Sequence, residues 1–214
     1  MAQGKRFKWQ GSSFAVQTGL AATKTITAVT KANPGVVSST AHGLLAGAVG
    51  VIAAVVGMTE LNGGMYVVAN PATGTFELAG TDTTNYATYT SGGTFAPVVF
   101  TDFCELKNVS QQDGAAEEID VTTICSKAKE YEVGLTDSGQ LQLDYNYAGA
   151  EAVQAALRAA KAAGTIIAFK LTLPNNGGTL VMMGSVQSQG VTGGNGGVWT
   201  GTATIKLTGP VYVV

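Results

Sequence analysis

The residues that could do chemistry are few and scattered. His42 is the only histidine in 214 residues, and it sits in Ala41-His42-Gly43, a turn context. A catalytic histidine needs a nucleophile or carboxylate partner, and no spacing here suggests one. A turn or surface histidine is expected. Ser126 and Lys127 are adjacent, outside any G-x-S-x-G or S-x-x-K frame. Glu117, Glu118 and Asp120 cluster, but sequence neighbours alternate across a strand, so a solvated loop is expected rather than paired acids or metal ligands. Gly193-Gly194-Asn195-Gly196-Gly197 lacks the Lys-Ser/Thr and the strand–loop–helix setting of a phosphate cradle and reads as a mobile loop. Cys104 and Cys125 are too few for a disulfide framework and too far apart for a metal knuckle, so reduced thiols are expected. The expectation is a protein with no catalytic residue, no metal and no cofactor, and not an enzyme.

The elements around these residues carry more information. From Cys125 to Gly164 the chain reads as one turn, one strand and one helix. Thr136-Asp137-Ser138-Gly139 is built of turn formers. Gln140 to Tyr147 alternates strictly: Leu141, Leu143, Tyr145 and Tyr147 point one way, Gln140, Gln142, Asp144 and Asn146 the other. A helix is expected over Ala150 to Ala163, with Val153, Ala156, Leu157 and Ala160 as its apolar stripe. Glu151, Gln154, Arg158 and Lys161 fall on the polar side. Gly164 suits its C-terminus.

Composition sets outer bounds. Charged residues are 12% of the chain and the net charge is -2. That balance argues against gripping nucleic acid by phosphate neutralisation, though not against letting it slide past. Twenty-nine glycines against five prolines suggest many turns and few helices. No targeting segment is expected in the first residues. Gly43 to Met58 is too short and Gly-rich to span a membrane, and a strand pair or buried segment is expected.

Along the chain, residues 1–23 read as an N-terminal arm and first strand, with Phe7, Trp9 and Phe14 as aromatic contacts for a neighbouring subunit. Residues 24–97 read as a small all-β module, broken by Asn-Pro-Gly, Asn-Gly-Gly and Gly-Gly turns. Val98 to Val109 and Glu118 to Cys125 read as two strands around a polar loop. After the helix come three more strands. Asn175-Asn176-Gly177-Gly178 forms the hairpin between the first two. In the last, Thr200, Thr202, Thr204, Lys206 and Thr208 line one face, and Gly201, Ala203, Ile205 and Leu207 the other. The fold class is mainly β (α+β), a sandwich or barrel with one helix laid against it.

The order of the second half is Cys104-Glu105, a polar loop, Glu118-Ile119-Asp120-Val121-Thr122, Ser126 to Glu130, Gly134 to Gly139, strand, helix, three strands, and Thr208-Gly209-Pro210. It resembles the major tail tube proteins of long, non-contractile-tailed bacteriophages, over Val98 to Val214. Residues 24–97 resemble a β module that recurs in phage structural proteins and is similar to a β half-domain of ubiquitin-activating enzymes. Ala48 stands where that pattern has an acidic residue.

The resemblance implies a virion protein assembled in the bacterial host cytoplasm. It implies stacked hexameric rings around a β-lined channel through which genome DNA passes, with no membrane role. The implied partners are further copies of the chain, a tape measure protein and tail tip and terminator proteins. The helix would lie outside and the 24–97 module would face outward. The loop Asn108 to Glu118 would reach the next ring, with Ser110, Gln111, Gln112, Asp113 and Glu117 as contacts. Two wet strand faces are then channel-lining candidates: Gln140, Gln142 and Asp144, and Thr200, Thr202 and Thr204. Lys206 would hold DNA there unless paired with an acid or set at the rim.

Two other readings compete. One is a tube of a contractile tail or secretion system. The other is a β adhesin that stacks host glycans on Trp199, Tyr86 and Tyr89.

Overall fold

Period-two patterning dominates the chain. The computed structural model describes residues 8–214. The elements in chain order are β1 (Ser13–Leu20), β2 (Lys24–Thr25), β3 (Ala28–Val29), β4 (Val36–Ser38), β5 (Val49–Val56), a 3-10 turn (Thr59–Leu61), β6 (Met65–Ala69), β7 (Thr75–Leu78), β8 (Ser91–Asp102), β9 (Leu106–Gln112), β10 (Ala116–Asp120), β11 (Tyr131–Thr136), β12 (Gln140–Asn146), α1 (Ala152–Ala163), β13 (Ile166–Thr172), β14 (Thr179–Thr192), β15 (Thr200–Leu207) and β16 (Tyr212–Val213). They fall into two compact units. The first holds residues 8–103, 168–181 and 211–214; the second holds residues 104–167 and 182–210.

In the first unit β1 lies between β8 and β13, with Gln17 opposite Phe100 and Val16 opposite Phe169. The Phe14 ring stacks on Phe169 at 6.2 Å and is buried. That corrects the arm expectation: Phe14 is committed to the interior of its own chain and is closed to a neighbour. Trp9 is half exposed, and Phe7 lies outside the described residues.

Beyond β8 the strand order runs β5, β6, β7, β4, β3. The strip 24–29 then closes the circuit. β2 pairs with β8 and β3 pairs with β4. Between them the Ile26 amide donates to the Gly93 carbonyl and the Thr27 amide to the Ser38 carbonyl. Closure leaves no open strand edge in this circuit. Its interior is Ile26, Val37, Ile52, Met58, Phe76, Leu78 and Phe95, all drawn from residues 24–97. Gly43 to Met58 takes the strand option, as a loop followed by β5.

The second unit is built on β14, β15, β12 and β9, adjacent in that order and antiparallel where their registers are defined. The alternation expected for β12 forms from Gln140 to Asn146, while Tyr147, expected on its dry side, lies past the end of the strand and is exposed. Leu141, Leu143 and Tyr145 are buried, as are Ala203, Ile205 and Leu207 opposite. Tyr145 faces Gly201 across the ladder. A Cβ at Gly201 would run into the Tyr145 ring, so only glycine lets the ring lie flat there. We expect Gly201→Val to destabilise by about 1–3 kcal/mol through overpacking, read by chemical denaturation. Unchanged stability would contradict this register.

The helix starts two residues later than expected. The Glu151 side chain accepts from the Gln154 amide as N-cap, and Gly164 ends it in the left-handed region at φ 63°. Val153, Leu157 and Ala160 are buried as the stripe requires, with Ala156 half-buried. Gln154, expected on the polar side, is buried too. Its amide donates to the Asn146 carbonyl at 2.9 Å and accepts from the Ala148 amide at 3.0 Å. This ties the helix start to the end of β12 and satisfies polar groups that burial would otherwise orphan.

Candidate functional site

The chemistry-bearing residues stay apart. His42 is buried rather than at the surface. Its Nδ1 accepts from the Leu44 amide at 3.0 Å, which leaves Nε2 to donate to the Ala72 carbonyl at 2.8 Å. Phe76 meets the ring edge-on at 5.3 Å. Both nitrogens serve the backbone of a loop, a structural use of the imidazole. Cys104 and Cys125 are free and exposed. Among the described residues no three His, Cys, Asp or Glu side chains are grouped to hold a metal. Tyr86 and Tyr89 pack against the barrel core, and the Tyr89 hydroxyl donates to the Gly92 carbonyl at 2.8 Å. Trp199 is exposed. Tyr86 and Tyr89 are thus spent on packing rather than offered to a sugar.

What the second unit does build is one broad polar face. β12 and β15 are neighbours, so the two sequence-derived sets become one surface. Gln142 lies opposite Thr204, Asp144 opposite Thr202, and Gln140 opposite Lys206. β9 extends it on one side: Gln112, Ser110 and Asn108 lie opposite Gln140, Gln142 and Asp144. β14 extends it on the other: Ser185, Ser188 and Thr192 lie opposite Lys206, Thr204 and Thr200. The surface is almost wholly amide and hydroxyl. Gln140 Nε2 donates to Gln112 Oε1 at 2.8 Å, and Asn108 Nδ2 to Asp144 Oδ2 at 3.2 Å.

Ser110 and Gln112 therefore belong to this face. Gln111 sits on the other side, its Nε2 donating to Asp113 Oδ1 at 3.0 Å. The expected loop over 108–118 gives way to β9, a short turn and the first residues of β10. Polarity misled there. A strand with one wet face and few apolar residues on the other reads like a loop.

Lys206 resolves the one awkward charge. Its Nζ donates to both oxygens of Asp137, at 2.5 and 2.6 Å. This is the single ion pair among the described residues. The Lys206 ammonium, and then the Gly139 amide, hold the Asp137 carboxyl below its ordinary 3.8. A depressed value means the tie is present in full above 3.8 and is lost as pH falls through the lower folded value. Lys107, which sequence reasoning passed over, joins Asn108, Asp144, Tyr145, Thr200 and Thr202 around a depression in the face. Its signal was only a basic residue at a strand start. Burial raises the Tyr145 hydroxyl above its usual value.

Beyond Gln112 and Gln140, β10 and β11 form a separate two-stranded hairpin. Gly114 and Asp137 lie directly against each other at its base. Glu118 faces Val133 and Asp120 faces Tyr131, so Tyr131 and Val133 share a face with two carboxylates, and a register shift between Val133 and Thr136 turns Leu135 to the other face. Both apolar side chains are exposed, Val133 at 79%, and Leu135 on the opposite face is exposed too. Glu117 sits in this hairpin and Asp113 in the turn before it.

A mostly β chain with one helix among its described residues, a wide sheet face of amides and hydroxyls and an apolar hairpin held out in solvent has the make-up of an assembling structural protein. Residues 56–214 match the family described as phage tail tube protein (TTP). The chain belongs to that family and is a structural component of a phage tail tube, stacking with copies of itself. The match begins within residues 24–97, upstream of where the sequence resemblance was drawn. Among solved structures, the tail of an empty GTA particle with C6 symmetry is similar at 17% identity and a TM-score of 0.43, over 54% of this chain and 86% of that one. No curated protein matches the chain significantly.

Proposed function

We propose that the four-stranded polar face lines the channel of a tube made of stacked six-membered rings, through which genome DNA passes. The observation that carries this is the register: it gathers Gln140, Gln142, Asp144, Thr200, Thr202 and Thr204 on one face and pairs its awkward lysine with Asp137. A lining mostly of amides and hydroxyls, with Lys107 set beside Asp144 around the depression, gives phosphates little to exchange for their counterions, so DNA moves without being held. β9 ends the strand order with a neighbour on one side only, and a second copy would satisfy that edge. Six copies of four strands, at about 4.8 Å spacing and about 40° tilt, close a wall about 48 Å across between backbones. Side chains about 5 Å deep leave about 38 Å, wide enough for a duplex.

The finer parts of the reading follow from that frame. The chain works without catalysing a reaction. It assembles in the host cytoplasm around a tape measure protein and is finished by tip and terminator proteins. The barrel of residues 24–97 brings its own core and closed circuit, so it asks nothing of its neighbours and faces outward. The contact with the next ring moves from the expected 108–118 loop to the hairpin of residues 113–139. Trp9 remains the available aromatic of the arm.

Concentrated protein viewed by negative stain should show hollow tubes with six-fold end views; discrete particles under every assembly condition would refute the tube. The lining has its own test. Asp137→Asn leaves six uncompensated Lys206 side chains per ring. Such tubes should retain duplex DNA in co-sedimentation at low salt and release it as salt rises, whereas unaltered tubes retain far less. Equal retention by both would remove this face from the channel.

A further inference from the structure

The hairpin is costly to leave as it is. It exposes Tyr131, Val133, Leu135 and Ile124, and it carries five carboxylates against two lysines between Ala116 and Thr136. On the Tyr131–Val133 face the strand charges are Glu118 and Asp120, with the Lys129 ammonium 6.0 Å from the Tyr131 ring at its end. An exposed apolar row of this kind marks a contact surface. The sign of its charges restricts what it can meet.

The second unit carries a surface of matching chemistry on α1. The buried side of the helix is Val153, Gln154, Leu157 and Ala160, which leaves Ala155, Arg158, Ala159, Lys161 and Ala162 exposed. The only charges on that side are two cations. Arg158 donates to the Gly149 carbonyl, and neither Arg158 nor Lys161 has an ion pair among the described residues. The alanines let another backbone come close, and the cations are spaced as the hairpin requires. Glu118 and Asp120, two apart on a strand, are about 7 Å apart. Arg158 and Lys161, three apart on a helix, are about 5–6 Å apart between Cβ atoms. Their long side chains absorb the difference.

We propose that the β10–β11 hairpin of one copy docks its Tyr131–Val133 face on the outer face of α1 of a second copy, with Glu118 and Asp120 against Arg158 and Lys161. The two surfaces are different patches of one molecule. Such a head-to-tail contact does not use itself up and propagates from copy to copy. It rests on the tube reading and adds to it the partner surface of the hairpin. The charge match sets register along the stack, and the apolar row supplies the area.

Charge swapping tests it. Glu118→Lys with Asp120→Lys, and separately Arg158→Glu with Lys161→Glu, should each cut pelletable polymer by about tenfold or more, because like charges then face each other. The four changes combined should restore polymer to near the unaltered level. All four side chains concerned are at the surface, so circular dichroism melts should stay close to the parent; a melt that collapses is replaced by Tyr131→Asn with Val133→Asn, both exposed, which should abolish polymer without moving the melt. Normal assembly of either double variant, or failure of the combined variant to recover, overturns the pairing while leaving the tube intact. Unaltered protein that forms no polymer overturns the tube reading itself, and this inference with it.

Discussion

Leu157→Asp should leave the second unit without a cooperative fold at room temperature. Leu157 is fully buried at the centre of the α1 stripe, flanked by Val153 and Ala160 one turn either way. Truncating a leucine at such a site costs about 2–5 kcal/mol. The carboxylate adds several kcal/mol more, because nothing in the stripe can pair it or donate to it. The sum rivals the whole stability of an ordinary domain, about 5–15 kcal/mol. Ala159→Asp, on the exposed side of the same helix, serves as the control and should shift stability by no more than about 0.5 kcal/mol. Denaturation followed by circular dichroism reads both. A Leu157→Asp melt within a few degrees of the parent would show that the helix does not bury this face.

Removing the hairpin should do the opposite: keep the fold and lose the polymer. Gly114 and Asp137 touch at its base, so joining them after excision of 115–136 asks for little rearrangement. The excised residues are mostly exposed and none is among the buried core, so the monomer melt should hold. Polymer, read by sedimentation and negative stain, should vanish. Tubes of normal length from the excised chain would mean that stacking runs through another surface. Excision of 110–117 instead should damage the fold, because it takes Ser110, Gln111 and Gln112 out of their ladder with β12.

These two experiments also mark the boundary between what was legible and what was not. Gln140 to Tyr147 and Thr200 to Thr208 could be read as strands because alternation is a local property, written in neighbouring residues. The turn at Asp137–Gly139 and the helix with its Gly164 stop were legible for the same reason. The tail tube family was legible from the order of short motifs, since order survives where each motif is degenerate. Gln154 was misassigned because helical spacing predicts which way a side chain points, not that a buried amide will be spent on the Asn146 carbonyl and Ala148 amide. Phe14 was misassigned because an aromatic just after Gly11-Ser12-Ser13 carries no mark of the strand it will sit beside.

By itself, then, the sequence determined the elements, their faces and the near absence of charge, all of which follow from composition and period. Only the tertiary structure decided that β12 and β15 are neighbours, so that two polar stripes become one surface, and that Asp137 neutralises Lys206 across 69 positions of chain. It alone separated a projecting hairpin from a paired strand in the stretch after Leu106. The reason is physical: period and propensity are set by residues a few positions apart, whereas pairing and charge compensation depend on residues that only folding brings together.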